Sequence, residues 1–408
     1  MSVATNAAAD EAQQARPRRI LVASDLRVTA GGDGYWTATS LDRAYWSEMF
    51  GGGNDVTLLL RLERGDGHVR HPMSRIDGDG VEVVPLPTLR PGLALPGHVI
   101  GTVRALWREG RQRDSPVVLY LPGVVGSLFL MVLTLQRRPF GVRLVGDPLE
   151  ATTHGGVGGR LRWLVGAVLV RVTRRACRRA VAVSYVTDSY LQGRYPPGAS
   201  TATFACSNVN LGVMSRPPER PSPAEIAREP MVLMTVAALS HPYKRVDLLL
   251  DALAVLRNRG LDVVVEIIGD GVLRPQLERH AVTLGVADQV TFKGAISDRQ
   301  ALMDQVAAAD LFVLCSDTEG MPRALIEAMA LGTPCVGTRV GGVQELLPAA
   351  ATAPRGDVDA LAAVIEQHLL QPDLWHVNRG HCLERAEDFA PGHLEMRRRA
   401  FVAALRRA

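Results

Sequence analysis

Two glutamates, one just before a predicted helix and one inside it, have the residue type and spacing of a ligand-binding site. Glu319 and Glu327 stand eight residues apart in EGMPRALIEAMALGTPCVGT, behind an apolar strand predicted at 311–314. Pro322 lies in the first turn of the predicted helix, where a missing N–H costs nothing. The first N–H groups of such a helix point into the preceding loop at the positive end of its dipole, which favours an anion. The carboxylates accept hydrogen bonds from hydroxyls beside that anion, so the pattern predicts a nucleotide-sugar site.

Lysine is rare in this chain, so each lysine is a candidate for a specific role. Of 46 basic residues only Lys244 and Lys293 are lysines, and the rest are arginines. A compact ammonium and a planar guanidinium are not interchangeable where a single phosphate oxygen must be met. Lys244 follows the apolar run 231–239 within SHPYKRVDLLLDAL and is the candidate phosphate ligand. Lys293 is expected to point outward.

The spacing of Glu319 and Glu327, with GGVQEL behind it, resembles the retaining glycosyltransferases of family 4. These proteins have the GT-B fold, an α/β architecture of two Rossmann-like domains facing across a cleft. The resemblance is strong over the C-terminal half and covers the N-terminal half in outline. It implies transfer, with retention of anomeric configuration and without a metal or other cofactor, from a nucleoside-diphosphate sugar. A UDP-linked donor is favoured over a GDP-linked one. The acceptor is expected to be a hydroxyl on a lipid-linked intermediate, a polysaccharide or a natural-product precursor.

The resemblance also implies roles for individual residues. Lys244 would meet the donor diphosphate, Glu319 the hydroxyls of the transferred sugar and Glu327 the ribose. The segment GDGVLRPQL would let the nucleoside approach the backbone, and the turn after 289–294 would read the base. The donor-binding positions are Gly32, Lys244, Gly269, Gly271, Arg274, Gly294, Ile296, Glu319, Gly320, Met321, Pro322, Arg323, Ala324 and Glu327.

The chain departs from the family pattern after the strand at 231–239. Ala237 and Ala238 replace a glycine and its polar or basic neighbour, so a second cation is missing there. Arg245 or Arg323 could compensate. This departure keeps open a catalytically silent nucleotide-sugar-binding protein as an alternative function. A nucleotide-sugar epimerase or hydrolase of the GT-B type, which would turn over donor without acceptor, is the other alternative.

The N-terminal half offers two catalytic candidates beside Lys244 and Glu319. GVRLVGD predicts a strand that ends at Asp147, and His154 follows seven residues later. Ligands of open α/β sheets bind beyond the carboxyl ends of strands, so both residues, and Glu150 between them, are placed to reach a substrate. His154 could equally be an ordinary loop residue. Relatives carry a histidine at this strand end, and which of the two residues replaces it stays open. Near the start, a strand ending at Ser24, the loop 31–34 and a helix predict either a close backbone approach by a ligand or a plain tight turn.

Composition shifts divide the chain into domains. Residues 1–18 have no apolar stretch of a secretory signal and are predicted to be a disordered leader. An N-terminal Rossmann-like acceptor domain spans 19–215, closed by a strand at 180–187, and the proline-rich segment 216–230 is the linker. The nucleotide-sugar domain spans 231–389. The terminal helix 390–408 is expected to return to the N-terminal domain, as in the fold that the sequence resembles.

Composition also limits the classes of function. Hydrophobic content of 47% and charged content of 22% in 408 residues are typical of a globular protein with two cores. The five cysteines include no CxxC pair, which argues against a zinc site or disulfide framework and for a reducing cytoplasm. Asp77 and Asp79 form a D-x-D within IDGDGVEV, a cluster typical of a turn. No metal site is expected.

Two segments bear on membranes. The uncharged run 116–135 has the length of a bilayer span, but Pro122–Gly123 divides it into a predicted strand and a predicted helix, which is the favoured interpretation. Residues 159–180 carry seven arginines among apolar residues. They form either a helix that docks peripherally on the inner face of an anionic membrane or an ordinary solvated helix. Nucleic acid is not expected, because no aromatic interleaving accompanies the arginines.

Overall fold

The computed structural model describes residues 19–39, 41–50, 54–63, 73–87, 96–150, 162–212, 217–227 and 229–407. The predicted leader 1–18 and His154 lie outside these residues. The described chain forms two β-sheets with helices on both faces, divided between residues 205 and 231. This is the GT-B architecture of two Rossmann-like domains.

Among the described residues, nine strands form the N-terminal sheet. Seven of them are parallel in the order β5-β3-β1-β6-β7-β8-β9. β2 pairs antiparallel with β1, and β4 pairs antiparallel with β2. Both faces are buried, as a parallel sheet requires. The strands are β1 (Ile20–Gly31), β2 (Gly34–Thr37), β3 (Val56–Glu63), β4 (Ser74–Arg75), β5 (Val81–Leu86), β6 (Val117–Leu121), β7 (Gly141–Leu144), β8 (Ala182–Tyr185) and β9 (Ala202–Ala205).

Alternate residues of β1 pack on opposite faces of this sheet, so the two layers of helices have separate cores. Leu21 and Ala23 face a core shared with the central helices, whereas Ile20 and Val22 face Trp46 and the C-terminal helix. The helices of this half are α1 (Arg43–Phe50), α2 (Pro96–Gly110), α3 (Val124–Leu135), α4 (Arg162–Arg179) and α5 (Tyr190–Arg194).

Two N-terminal elements differ from the sequence-based expectation. The first strand does not end near Ser24: it continues to Gly31 and turns at Gly32 and Asp33 into β2. The predicted strand–glycine loop–helix is therefore a β-hairpin, because pairing of Thr29 with Trp36 extends the strand beyond the buried sheet. The segment 180–187 does not close the domain either, since β9 pairs beyond β8 at the edge.

The apolar run 116–135 forms β6 and α3, separated at Pro122–Gly123 as expected. Asp25, at the end of the buried part of β1, accepts a hydrogen bond from the N–H of Val125 in the first turn of α3 (3.2 Å). Of the helices that the structure describes, none combines the length and apolar composition needed to cross a bilayer.

The C-terminal sheet has the strand order β12-β11-β10-β13-β14-β15, and all its pairs are parallel. Because the order reverses between β10 and β13, the loops after these two strands diverge and leave a crevice at their carboxyl ends. The strands are β10 (Met231–Val236), β11 (Val263–Ile268), β12 (Val290–Gly294), β13 (Leu311–Leu314), β14 (Cys335–Thr338) and β15 (Thr352–Ala353). The helices are α6 (Val246–Asn258), α7 (Arg274–Thr283), α8 (Arg299–Ala308), α9 (Arg323–Ala330), α10 (Val343–Leu346), α11 (Val358–Leu370), α12 (Pro372–Ala386) and α13 (Pro391–Arg406).

The chain passes between the two sheets twice. Residues 217–227 pack on the C-terminal half, where the guanidinium of Arg220 donates to the carbonyls of Ala307 (2.8 Å) and Ala309 (2.6 Å). At the other end, α13 returns to the N-terminal half and packs against α1, β8 and β9. Phe401 of α13 is fully buried there, against Phe204 of β9.

Candidate active site

Lys244 and Glu319 meet at the point where the strand order of the C-terminal sheet reverses. Lys244 ends a short 3₁₀ turn, Pro242–Lys244, after β10, and Glu319 lies in the loop after β13. The ammonium Nζ of Lys244 donates to Oε1 of Glu319 at 2.6 Å, and the two side chains are 20% and 9% exposed. The two residues singled out by sequence thus form one ion pair in the crevice.

The position of the loop that carries Glu319 is fixed by Ser316 and by close packing against Gly341. Ser316 Oγ donates to Glu319 Oε1 at 2.6 Å, so this oxygen accepts from a hydroxyl and an ammonium at once. A Cβ on Gly341 would lie 1.7 Å from the Glu319 carbonyl oxygen, and Gly341 has a φ of 42°. Only glycine fits this position without displacing the loop.

Helix α9 begins directly after this loop. The structure places Pro322 at the N-cap, with an extended ψ of 108°, and the first helical residue is Arg323. The predicted helix therefore starts one residue later than expected, because the backbone of Pro322 has not yet turned helical. Met321 is 9% exposed, and Gly320 and Ala324 flank the same turn. The N–H groups of a first helical turn lack intrahelical acceptors, so this end of α9 presents positive potential to the loop.

Glu327 lies one turn into α9 and is 18% exposed. Burial raises the pKa of its carboxyl group, and the charges of Arg299 and Arg323 oppose that rise. Arg299 Nη1 donates to Glu327 Oε1 at 3.2 Å. The sequence-based reasoning missed Arg299, because nothing in the motif connects it with a glutamate 28 residues later.

The predicted nucleoside-binding loops lie side by side at the ends of β11 and β12. The N–H of Gly269 donates to the carbonyl of Gly294 at 2.8 Å. Gly269 and Gly271 both have positive φ, and a Cβ on Gly269 would lie 1.9 Å from the carbonyl oxygen of Ala237. These glycines bring the loop after β11 against the loop after β10. Ile296, beyond Gly294, is half-buried.

Arg274 opens α7 beside these loops. Its guanidinium pairs with Glu278 (2.8 Å), donates to the carbonyl of Phe292 (3.2 Å) and lies over the Phe292 ring. Arg274 thus links the loop after β11 to β12. A cavity of about 470 Å³ opens nearby, lined by the loop 238–247, the start of α7 and Asp317, and Lys244 forms part of its wall.

The candidate second cations have other partners. Arg245 donates to both oxygens of Asp247 (3.1 and 3.0 Å) and to Asp317 (3.3 Å). Arg323 is exposed and acts on Glu327 through its charge. Lys293, the other lysine, pairs with Glu266 at 2.8 Å on the neighbouring strand. Lys244 is therefore the lysine placed at the crevice.

Asp147 is placed differently from the sequence-based expectation. Its side chain is fully buried inside the N-terminal domain, where the Tyr195 hydroxyl (2.6 Å), the Leu149 N–H (2.8 Å) and Arg194 (2.8 Å) all contact it. The carboxylate therefore holds the loop after β7 instead of facing the cleft. Gly32 lies at the tip of the hairpin, with a φ of 59° and open space around it.

Other N-terminal groups touch the C-terminal domain directly. Glu150 accepts a hydrogen bond from the Thr318 hydroxyl, next to Glu319, and another from the Tyr190 hydroxyl (2.7 Å). A Cβ on Gly320 would lie 2.5 Å from the carbonyl oxygen of Val145. The end of β7 thus packs on the Glu319 loop, and no larger residue fits at position 320 in this arrangement.

Glu345 makes several contacts with the N-terminal domain. Its carboxylate accepts from the backbone N–H groups of Asp188 (2.7 Å), Ser189 (2.9 Å) and Tyr190, and from the Ser189 hydroxyl (3.0 Å). These groups form the start of α5, so a C-terminal carboxylate caps an N-terminal helix. Arg385 adds a contact with Asp188. The sequence shows Glu345 only as the end of GGVQE and gives no signal of this role.

The predicted turn at Asp77 is confirmed. Asp77 Oδ1 accepts from the Tyr35 N–H (3.1 Å), and Gly78 pairs with Val81 across the turn. Within the described part of the chain, no group of three or more histidine, cysteine, aspartate or glutamate side chains is arranged to hold a metal ion.

The chain is similar to known proteins in part of its sequence and in its overall fold. Residues 230–371 match the family model described as glycosyl transferases group 1. A Mycolicibacterium smegmatis protein named GDP-mannose-dependent alpha-(1-6)-phosphatidylinositol monomannoside mannosyltransferase is 30% identical over 261 residues, covering 58% of this chain and 64% of the relative. The chain spans less than two thirds of the length of the curated relatives that it matches first.

Solved structures resemble the whole fold. Sucrose-phosphate synthase from Thermosynechococcus elongatus aligns with a TM-score of 0.67 over 93% of this chain and 97% of that chain, at 19% identity. Anabaena HepE, solved in complex with UDP-glucose, aligns with a TM-score of 0.61 over 94% of this chain and 99% of that chain, also at 19% identity. At these identities the likeness establishes the two-domain fold.

Proposed function

We propose that this GT-B protein, whose residues 230–371 match the family model for glycosyl transferases group 1, transfers a sugar from a nucleoside-diphosphate sugar to a hydroxyl acceptor. The observation that carries the proposal is the Lys244–Glu319 ion pair at the strand-order reversal, directly before the N-terminus of α9. An ammonium and a helix N-terminus provide positive charge on two sides of one crevice. That is the environment in which a diphosphate binds.

The diphosphate lies between Lys244 and the start of α9. The ammonium has three N–H donors, so it can hold Glu319 and a phosphate oxygen together. As the bond from the sugar to the diphosphate breaks, negative charge grows on the leaving oxygen, and fixed donors aimed at that oxygen lower the barrier. The positive charge of Lys244 and of the start of α9 stabilises the negative charge of the departing diphosphate, so the proposal includes no metal.

The two glutamates orient the donor on either side of the diphosphate. Glu319, fixed by Ser316 and Lys244, accepts from hydroxyls of the transferred sugar. Glu327 accepts from the ribose hydroxyls, as an acidic residue does in dinucleotide-binding folds. Such orientation supplies part of the rate enhancement by holding the reacting atoms in line.

The reaction proceeds with retention of anomeric configuration. The acceptor hydroxyl enters on the face from which the diphosphate departs, forms the new bond to the anomeric carbon and passes its proton to the leaving group. No nucleophile from the protein takes part. The contacts of Glu345 and Glu150 between the domains support a closed cleft, which limits transfer to water.

A donor panel tests this proposal. The full chain is incubated with UDP-glucose, other UDP-sugars and GDP-mannose, with and without a lipid extract, and the released nucleoside diphosphate is measured. We expect release that depends on the extract and favours a UDP-linked donor. A GDP-linked preference would correct the base, and release without acceptor would indicate a hydrolase or epimerase. Binding of nucleotides without any turnover would indicate a silent binding protein, and no binding would refute the site.

We further propose that the acceptor is lipid-linked and that the N-terminal domain docks on the inner face of a membrane. Helix α3 exposes an uncharged stripe to solvent: Val124, Met131 and Leu135 recur at helical spacing and are 47%, 64% and 73% exposed. Exposed apolar side chains along one face of a helix are typical of an interaction surface. The sequence-based expectation placed membrane contact on residues 159–180 alone.

Charge on the neighbouring helices supports an anionic bilayer as that partner. α3 packs against both α2 and α4 on one face of the sheet. Among the described residues of these three helices the sole carboxylate is Glu109, which is buried. Basic residues beside apolar ones favour an anionic interface. The exposed arginines are Arg104, Arg108, Arg171, Arg174, Arg175, Arg178 and Arg179.

Vesicle co-sedimentation tests the docking face. The wild-type chain is expected to bind phosphatidylglycerol vesicles and not phosphatidylcholine vesicles. The double variant Met131→Glu/Leu135→Glu should lose that binding while keeping nucleotide binding. Val282→Glu/Val377→Glu is the matched control, because both valines are about as exposed (68% and 69%) but lie on the C-terminal domain. If both double variants bind the vesicles equally, α3 is not part of the surface that contacts the membrane.

A further inference from the structure

Arg299 connects the proposed ribose ligand to the segment where the chain leaves the N-terminal domain. Nη1 of its guanidinium donates to Glu327 Oε1 at 3.2 Å, and Nη2 donates to the carbonyl oxygen of Asn210 at 2.6 Å. Arg299 is the first residue of α8, and the N-cap Asp298 fixes that helix by accepting from two N–H groups. The position of the guanidinium is therefore defined from within the C-terminal domain.

Asn210 belongs to a second set of contacts at the domain boundary. Its Nδ2 donates to Glu48 Oε2 of α1 at 2.8 Å. Oε1 of the same Glu48 accepts from Arg398 of α13, which also donates to the carbonyl of Val209. The segment after β9 and the returning helix α13 are the two places where the chain passes between the domains. Arg299 thus joins Glu327 to both.

The charges around Glu327 give Arg299 a specific effect. Burial disfavours the ionised carboxylate, whereas Arg299 and, from α9 itself, Arg323 favour it. Helix α12 packs along α9 as well, but its Arg379 donates to the carbonyls of Gly332 and Pro218, beyond the other end of α9. Arg299 is the one of these groups that both hydrogen-bonds Glu327 and faces it from another element.

We propose that Arg299 is a positioning residue for the nucleotide donor: it holds the Glu327 carboxylate ionised and oriented toward the ribose, and ties that orientation to the domain boundary at Asn210. This inference rests on the proposed role of Glu327 as ribose ligand. A carboxylate oxygen accepts more than one hydrogen bond, so the contact with Arg299 still allows both oxygens to accept from ribose hydroxyls. Glu327 in its protonated form would offer poorer acceptors.

The test measures the dissociation constant of the nucleoside diphosphate from pH 4.5 to 8.5 by calorimetry, with no acceptor present. In the wild type, affinity should fall as pH drops through the pKa of Glu327. Arg299→Gln removes the favourable charge, so the midpoint of this fall should move up by about one pH unit. Below the wild-type midpoint the variant should bind about tenfold more weakly, with a smaller difference at pH 8.5.

Two further variants separate positioning from a general structural effect. Arg299→Lys keeps the charge and loses the two-pronged contact, so its midpoint should return toward the wild type while affinity is only partly restored. Arg259→Gln removes a surface arginine of the same domain that pairs with Glu366 at 2.6 Å, and it should leave the whole profile unchanged.

The outcomes distinguish this inference from the function on which it rests. If the wild type binds no nucleoside diphosphate, the proposed function fails. If the wild type binds and Arg299→Gln weakens binding equally at every pH, or leaves it unchanged, the positioning role alone is overturned. Tighter binding by Arg299→Gln would show that the guanidinium competes with the donor, and that result also overturns it.

Discussion

The two domains use the polar residues at their strand ends in opposite ways. In the C-terminal domain, Lys244 and Glu319 follow strands and meet each other in the crevice. In the N-terminal domain, Asp147 also follows a parallel strand, yet its carboxylate is fully buried against Tyr195 and Arg194 of its own domain. A position beyond a strand end makes a residue a candidate for binding, and its local partners decide whether it is available.

The solvent-facing surfaces of the two domains also differ in their exposed apolar side chains. The N-terminal domain exposes the apolar stripe of α3 beside the arginine-rich helix α4 and the helix α2, which carries two exposed arginines. Surface charges pair within both domains, as Arg259 with Glu366 and Arg43 with Asp79 illustrate, so the contrast lies in the apolar stripe. This contrast suits a division of labour in which one domain binds the donor and the other meets the acceptor at a surface.

The largest expected effect separates the two lysines. Lys244→Ala removes the ammonium from the crevice and should lower kcat/KM for the donor by about 100-fold or more, since loss of one preorganised donor to a developing anion costs that much. Lys293→Ala breaks an ion pair of similar length, 2.8 Å against 2.6 Å, outside the crevice. Donor turnover by the two variants under the same conditions is the measurement. Similar activities would remove Lys244 from the site.

The sequence was sufficient to place most of the elements around the candidate C-terminal site, because their signals are local. Glycine at 341 is required by the adjacent Glu319 backbone, and the strand–loop–helix around Pro322 is contiguous in the chain. The helix start differs by one residue only. The split of residues 116–135 into β6 and α3 is likewise marked by Pro122–Gly123 within the run itself.

The contacts that the sequence could not predict join residues far apart in the chain. Arg299 pairs with Glu327 and with Asn210, and Glu345 binds the start of α5 more than 150 residues earlier. The hairpin at Gly32 was missed because β1 gains its last residues by pairing with β2, not from an apolar pattern. Single-chain patterns report local geometry, whereas these contacts depend on how the two domains meet.

A second prediction addresses the buried carboxylate. Asp147→Asn should lower the free energy of unfolding by about 1–3 kcal/mol, because Arg194 and the Tyr195 hydroxyl lose a charged acceptor. Binding of nucleoside diphosphate should stay unchanged, since the carboxylate does not face the cleft. Urea unfolding and calorimetry measure the two quantities. Asp288→Asn, whose side chain is 69% exposed and pairs with Arg257, is the control and should leave both unchanged.

An effect of Asp147→Asn on the donor without an effect on stability would mean that both domains use strand-end residues to bind the substrate. If Asp147→Asn unfolds at the wild-type urea concentration and raises the donor KM, then Asp147 acts on the substrate. The strand end of β7 would then serve the cleft as those of β10 and β13 are proposed to do.

The smallest expected effect concerns the contact that joins the domains. Glu345→Gln keeps the shape of the side chain but removes the negative charge of the carboxylate. That carboxylate accepts hydrogen bonds from three N–H groups at the start of α5. The closed arrangement should become less populated, and kcat should fall about tenfold, which corresponds to about 1.4 kcal/mol. Small-angle scattering should show a larger radius of gyration. Glu366→Gln, which loses a pair confined to the C-terminal domain, should change neither quantity. An unchanged radius together with an unchanged kcat would mean that Glu345 caps α5 without influencing closure, and the cleft would then depend on the contact of Glu150 with Thr318.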